Sequence, residues 1–221
     1  MTLSLLRQAA PECPTHRPGG KTLQVHGADD PGRGAVQAFI ARIYAQRFGA
    51  CVQQFAPCLV SLHDPLSGDI VAAAGYRFAD TGPLFLERYL SAPIETLLGA
   101  QHGAPVARRG VVEVGHLAAD RAGEGRRLIL LLGQHLAQQP DHRTTEWVVS
   151  TLTQELRHLF VRLGVTPLAL GQADPAAVGD DLAAWGRYYE HRPVVLAGRL
   201  QAALRLMGRR ASQPGAGDTT V

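Results

Sequence analysis

Glu113 and His116 stand three residues apart in the β-rich run 111–117 (VVEVGHL). An isolated carboxylate among valines is costly unless it is paired or solvated by a cleft. Two readings follow for Glu113: a structural ion pair with an arginine such as Arg77, or a general base acting directly or through water, with its pKa set by its surroundings. Strict alternation puts Glu113 and His116 on opposite faces of a strand. A bulge at Gly115 would bring both to one side and free backbone N–H and C=O groups for a bound ligand. Glu87, inside the run FLERYL (85–90), is either a solvated partner of Arg88 or a second site carboxylate.

The next stretch, Asp120-Arg121-Ala122-Gly123-Glu124-Gly125, leads straight into a helical pattern. A Gly-rich turn at a helix start presents free backbone N–H groups and the positive end of the helix dipole, an arrangement that holds a pyrophosphate. The alternative is an ordinary strand-to-helix turn that uses Gly for shape. Cys51 and Cys58 lack a clear His partner for nucleophilic chemistry, and Cys13 with His16 has no second pair to complete a metal site.

These residues need elements to position them. Val36, Phe39, Ile40, Ile43 and Tyr44 recur at helical spacing, and Gly49 closes that segment. The apolar runs 58–62 and 70–76 flank turn formers and predict a β-hairpin. Residues 94–98 predict a short helix, 111–117 a central strand, and a helix from Glu124 carries Leu128, Leu131, Leu132 and Leu136 on one face. A strand at 146–150, a helix at 153–163 ending at Gly164, and two last strands at 168–170 and 194–196 complete the series. A short strand is expected at 22–25. The order predicts an α/β fold on a central mixed sheet, antiparallel in front and parallel behind, flanked by helices.

With 221 residues, 46% of them hydrophobic, the chain supports one sizeable core and one domain. We expect a loose arm over 1–30, the domain over 31–208 and a disordered tail over 209–221. The net charge of +3 leans basic, but Lys is nearly absent and the Arg residues are scattered, which argues against nucleic acid as a partner. Such a surface suits a phosphorylated co-substrate or an acidic carrier protein. Three cysteines at irregular spacing argue against a disulfide framework and fit a reducing cytoplasm. The N-terminus does not read as a signal peptide, and the longest aliphatic run, 128–132, is too short to span a bilayer.

The loop 120–125 resembles the pyrophosphate loop of GCN5-related N-acetyltransferases (GNAT). Gly123 and Gly125 match, and Asp120 stands where Gln or Arg is usual. Phe160, near the end of the later helix, stands where that class often has a Tyr acid. A more specific resemblance is to the bacterial thermostable hemolysin family. Its blocks include Arg42 with Arg47-Phe48-Gly49-Ala50, Ala74-Gly75-Tyr76-Arg77, residues 84–90, residues 112–118 and Trp185-Gly186-Arg187-Tyr188-Tyr189. That family is distantly similar to acyl-homoserine lactone synthases. Arg77 and Glu113 keep the pattern of those synthases, while His116 replaces an Arg, so their acceptor, S-adenosylmethionine, is not implied here.

The resemblance implies an acyltransferase that moves a medium- or long-chain acyl group from a coenzyme A or acyl-carrier-protein thioester to an amine, such as an amino acid. Glu113 is the expected base, with His116, Arg77 and Glu87 beside it. Leu117, Ala118, Asp120, Arg121, Gly123, Glu124 and Gly125 are expected to hold the donor, and Arg42, Arg47, Phe48, Tyr188 and Tyr189 to bind substrate. Phe85, Leu86, Leu90, Val112 and Val114 are expected around the acyl chain. The alternatives are a membrane-active lytic protein, as the family name suggests, and an acyl-binding module without catalysis. No metal, permanent cofactor or transmembrane segment is expected, and peripheral membrane contact remains compatible with the sequence.

Overall fold

A computed structural model describes residues 23–139 and 144–211. Cys13, His16 and most of the expected arm and tail lie outside the described residues. The elements in chain order are β1 (Gln24–His26), α1 (Arg33–Phe48), β2 (Cys58–His63), β3 (Ile70–Phe78), a 3-10 turn (Phe85–Tyr89), α2 (Ile94–His102), β4 (Val111–Ala119), α3 (Glu124–Ala137), β5 (Trp147–Leu152), α4 (Gln154–Arg162), β6 (Leu168–Gln172), β7 (Val194–Arg199) and α5 (Leu200–Ala211). The seven strands form one sheet in the order β1-β2-β3-β4-β5-β7-β6.

Both faces of this sheet are covered, and side-chain alternation decides what each face meets. On one face, Val36, Ile40, Ile43 and Tyr44 of α1 pack with Leu59, Ala73 and Ala118. On the other, Leu128, Leu132 and Leu136 of α3 and Leu200 of α5 pack with Val60, Leu62, Tyr76 and Val112. The helical spacing at 36–44 and 128–136 therefore marks two core-facing stripes, as expected. Leu86, Ile94 and Leu98 close the core over Val111, Trp147 and Val149.

Three differences from the sequence reading have physical causes. The back half of the sheet is not parallel: β4 and β5 form its one parallel pair, and β7 pairs antiparallel with both β5 and β6. β5 and β6 run in the same direction across the helical crossover, but β7 inserts between them, so they never pair. The fold also begins before residue 31, because Gln24–His26 pairs with β2. Finally, the chain continues past 208 as α5, whose Leu200 and Met207 are buried.

Arg108 ties the segment before β4 together. Its guanidinium forms a fork with Glu87 (Nη1–Oε1 2.6 Å, Nη2–Oε2 2.8 Å), reaches Glu95 at 2.7 Å, and donates to the carbonyls of Ala79 and Gly82. Glu87 also accepts the N–H groups of Leu84 and Ile94. The Arg108 partnership is the largest influence on the Glu87 carboxyl and holds it down to about 2. A carboxyl depressed in the folded state contributes stability above its ordinary pKa near 4.5, and that contribution disappears as pH falls toward 2. The shift corresponds to about 2–3 kcal/mol, since each pKa unit is about 1.4 kcal/mol and the pair is partly solvated. Urea unfolding between pH 6 and pH 2.5 should show this loss, and Arg108→Met should remove that part of the pH dependence.

Candidate functional site

The site begins at a bulge. Gly75 of β3 lies opposite Gly115 of β4, and Ala73 lies opposite Ala118, so β4 has one more residue than β3 over this stretch. His116 takes up the difference at φ 53°, a left-handed conformation uncommon for a residue with a side chain. β4 then diverges from its parallel neighbour. The two strands pair only at Val111–Trp147, Val112–Val148 and Glu113–Val149. Beyond Glu113 the sheet opens into a wedge whose edge on β4 carries backbone groups with no partner on β5. An extended ligand can enter such a wedge as an added strand.

A cleft lies over the wedge on the α1 face. Its floor is Gly75, Arg77, Glu113, Gly115 and His116, with Thr151 across the opening. Its walls are the arm between α1 and β2 (Cys51 to Ala56), Phe85 and Tyr89 of the 3-10 turn, and Asp181, Ala184, Trp185 and Tyr188 of the long loop before β7. The arm and loop are joined by backbone hydrogen bonds from Cys51 N–H to Ala184 O and from Arg187 N–H to Phe48 O, both 2.7 Å.

Glu113 points into this region and accepts two backbone N–H groups, Phe85 at 2.8 Å and Leu86 at 3.0 Å. It thereby caps the start of the 3-10 turn. Burial raises its pKa, and those two hydrogen bonds and the nearby Arg77 oppose the rise. Arg77 is the cross-strand neighbour of Glu113, but its hydrogen bond goes to the Pro83 carbonyl at 2.9 Å. The bulge brings His116 to the same face as Glu113. His116 Nε2 faces the Gln54 carbonyl at 3.1 Å. A carbonyl only accepts, so Nε2 carries the proton and Nδ1 is a bare lone pair. Nδ1 is buried without a partner above Gly75, where an added Cβ would come within 3.2 Å. Burial pulls the His116 pKa down to about 4, so the ring is neutral near pH 7.

The other end of β4 delivers the Gly-rich loop. Gly123 N-caps α3 in the left-handed region (φ 87°), and no side chain occupies the cap. The first-turn N–H groups of α3 thus have no side-chain acceptor and suit an anion. Arg121 pairs with Asp64 of the β2–β3 turn, Arg42 approaches Asp120 at 3.8 Å, and Glu124 pairs with Arg127 at 3.2 Å. Leu117 and Ala118 lie between this loop and the bulge.

Several expected residues sit elsewhere. Glu87 is held by Arg108, outside the cleft lining. Arg42 lies beside the loop, and Arg47 with Phe48 borders a small recess behind the bulge. Tyr188 does reach the cleft wall, buried against Tyr44 and Phe48, and Tyr189 joins the cleft residue Tyr89 through their hydroxyls at 2.7 Å. Leu86 and Val112 are fully buried core residues. A second cavity, almost wholly apolar, lies beneath the sheet on the α3 face, bordered by Val114, Leu117, Leu132, Leu136, Phe160 and Met207. Sequence reasoning missed this cavity, and it also missed Thr151, whose buried hydroxyl has no partner and which lines both the cleft and the recess.

A sequence profile of the thermostable hemolysin family matches residues 26–204. No curated protein sequence matches the chain. Solved structures with a similar fold include an N-acyl amino acid synthase, FeeM, from uncultured soil microbes (TM-score 0.56, 11% identity, covering 82% of this chain and 91% of that one). They also include a CoA-dependent acyl-homoserine lactone synthase, BjaI, solved with SAM and isopentyl-CoA (0.55, 14%, 89% and 92%), and the AHL synthase LasI (0.53, 16%, 82% and 93%). At these identities the likeness establishes a shared fold, the GNAT-like α/β fold expected from the loop and strand order.

The loop geometry separates two glycines by experiment. A Cβ at Gly125 meets only Ala119, at an ordinary 3.6 Å, so Gly125→Val should fold and weaken coenzyme A binding by blocking close backbone approach. Gly123→Val should weaken it too and also lower stability by about 1–2 kcal/mol, because its φ is left-handed. Calorimetric titration with coenzyme A checks both, and parental affinity in the Gly125→Val protein would rule out this loop as the phosphate site.

Proposed function

Since the chain belongs to the thermostable hemolysin family and folds as the acyl-transferring synthases do, we propose that it transfers an acyl group from a pantetheine thioester to an amine. The observation that carries this reading is the opening between β4 and β5 after three paired residues. It lies between a Gly-capped helix start and a cleft containing a half-buried carboxylate.

The pantetheine arm, of coenzyme A or of a carrier protein, lies in the wedge and pairs with the unpartnered edge of β4. The diphosphate of coenzyme A rests on the N–H groups around Gly123–Gly125. The amine enters from the α1 face. Glu113, acting through water, takes the proton that the amine must lose. A carboxyl whose pKa is raised by burial suits this task better than an exposed one. His116, neutral and hydrogen-bonded to the arm, orients the bulge. The amine nitrogen bonds to the thioester carbon as its C–S bond breaks, and the thiolate leaves and is protonated. Backbone N–H groups near Leu117 and Ala118 and the unpartnered Thr151 hydroxyl donate to the developing oxyanion.

The apolar cavity on the α3 face takes the acyl chain, on the opposite side of the wedge from the amine. On this reading, the lysis that the family name refers to would follow from an amphiphilic acylated product. Among the described residues no helix is long and apolar enough to cross a membrane.

Two outcomes are expected. Glu113→Gln should lower transfer by about 10²–10⁴-fold. It should also cost about 1–3 kcal/mol of stability, because an amide places an NH₂ against one of the two backbone donors. Coenzyme A binding should survive, and full activity in that variant would exclude the base role. Across thioesters of graded length, turnover should rise from acetyl toward octanoyl. Each buried methylene contributes about 0.8 kcal/mol, giving up to about 5 kcal/mol before chain ordering is subtracted. Equal turnover with acetyl-CoA would exclude the cavity as an acyl site.

A further inference from the structure

The charge inside the cleft identifies what kind of amine it receives. Among the lining residues, Arg77 is the one guanidinium or ammonium group. His116 is neutral, and burial pushes the Tyr89 and Tyr188 hydroxyls up, which keeps them neutral too. The oxygens of Glu113 are engaged by the N–H groups of Phe85 and Leu86. Asp181 is exposed at the cleft's rim.

Arg77 is half-buried, and one of its N–H groups reaches the Pro83 carbonyl. No described carboxylate lies within ion-pair distance of it, although its neighbour across the strands is Glu113. A partly desolvated cation with donors to spare and only a through-space attraction to Glu113 can gain free energy from a ligand anion placed in direct contact. Arginine presents those donors as a planar fork that fits a carboxylate.

Resting on the acyltransfer reading, we infer that Arg77 anchors a carboxylate of the acceptor, which is therefore an amino acid rather than a simple amine. The diphosphate of the donor is too far away to be the anion. From Glu113 to the end of β4 the strand covers six residues, about 20 Å at 3.3 Å per residue, and the Gly loop lies beyond that. In an α-amino acid the amine and carboxylate share one carbon. A carboxylate on Arg77 thus leaves the amine beside Glu113 and the start of the wedge. Phe55, Phe85 and Trp185 surround the space left for the acceptor's side chain and favour an apolar one.

The test compares acceptors that differ only in the carboxylate: leucine and phenylalanine against leucinamide, phenylalaninamide and isoamylamine. Binding to the full-length protein is read from quenching of Trp185, which lines the cleft, with Trp185→Phe as the control for Trp147. Turnover is read from thiol release with octanoyl-CoA. The amino acids should bind about 10- to 100-fold more tightly than their amides, the range for hydrogen bonds to a charged group. In Arg77→Gln that ratio should fall to near one, and Arg77→Lys, which keeps the charge, should retain part of it. Circular dichroism verifies that each variant folds. Equal binding of amide and amino acid by the parent protein overturns the inference, as does a ratio that survives Arg77→Gln. Absence of thiol release with every acceptor would instead sink the acyltransfer reading, and the binding ratio would still decide the role of Arg77.

Discussion

The feature on which the site depends is the extra residue in β4. Its consequences run in both directions along the strand. Toward the N-terminus it leaves three residues paired with β5, enough to hold the sheet together through Glu113. Toward the C-terminus it turns the strand away, so that the sheet opens without losing its core. His116 takes a left-handed backbone conformation there, which costs on the order of 1 kcal/mol or more. Its surroundings hold it in place: the ring lies between Tyr44 and Phe55, Nε2 is tied to Gln54, and Gly75 leaves room beneath. A methyl group at Gly75 would come within 2.8 Å of Ala56, so the glycine opposite the bulge is part of the same device.

Glu113 has one observed task and one proposed task, and the two constrain one another. As a cap it fixes the 3-10 turn that brings Phe85 and Tyr89 to the cleft. As a half-buried carboxyl with a raised pKa it suits the proposed role of base. The N–H groups that secure it also favour its charged form and so limit how far burial raises its pKa. The heavier structural load falls on Glu87 and Arg108, which are doubly joined and stand outside the cleft. Two carboxylates in one apolar neighbourhood have thus been given different partners, a guanidinium for the one outside and backbone amides for the one inside. Only the second retains a pKa above its ordinary value.

Much of this was legible in the sequence because it is written in local spacing. The stripe of α1, the hairpin, the β-rich run around Glu113 and the Gly loop each declare themselves within a dozen residues, and Gly115 marked where a bulge could form. What was not legible depends on pairing over distance. Glu87 looked like a site carboxylate because Arg108 lies 21 residues away with no periodic relation to it. Leu86 and Val112 were expected beside a ligand because apolar residues near a site and apolar residues in a core have the same composition. The insertion of β7 between β5 and β6 has no local signature. α5 could have been found: Leu200, Leu204 and Met207 are spaced as a helical stripe, but the run is short and lies next to a polar tail.

The two sides of the wedge are built with different rigidity. On the α1 side the cleft is closed by backbone. Gly186 lies so near the end of α1 that a Cβ there would be 2.3 Å from the Phe48 carbonyl, and the hydrogen bonds from Cys51 and Arg187 lock arm to loop. Backbone contacts of this kind leave little freedom in the width of the cleft, which suits the proposed selection of an amino acid by the position of its charged groups. On the α3 side the cavity is bounded by Leu, Ile, Val, Phe and Met side chains of α3, α4, α5 and the sheet. Such side chains change rotamer at low cost, and methionine most readily. Under the proposed transfer, a cleft of fixed width and an adaptable apolar cavity meeting at one strand opening suit a defined amine on one side and an acyl chain of variable length on the other.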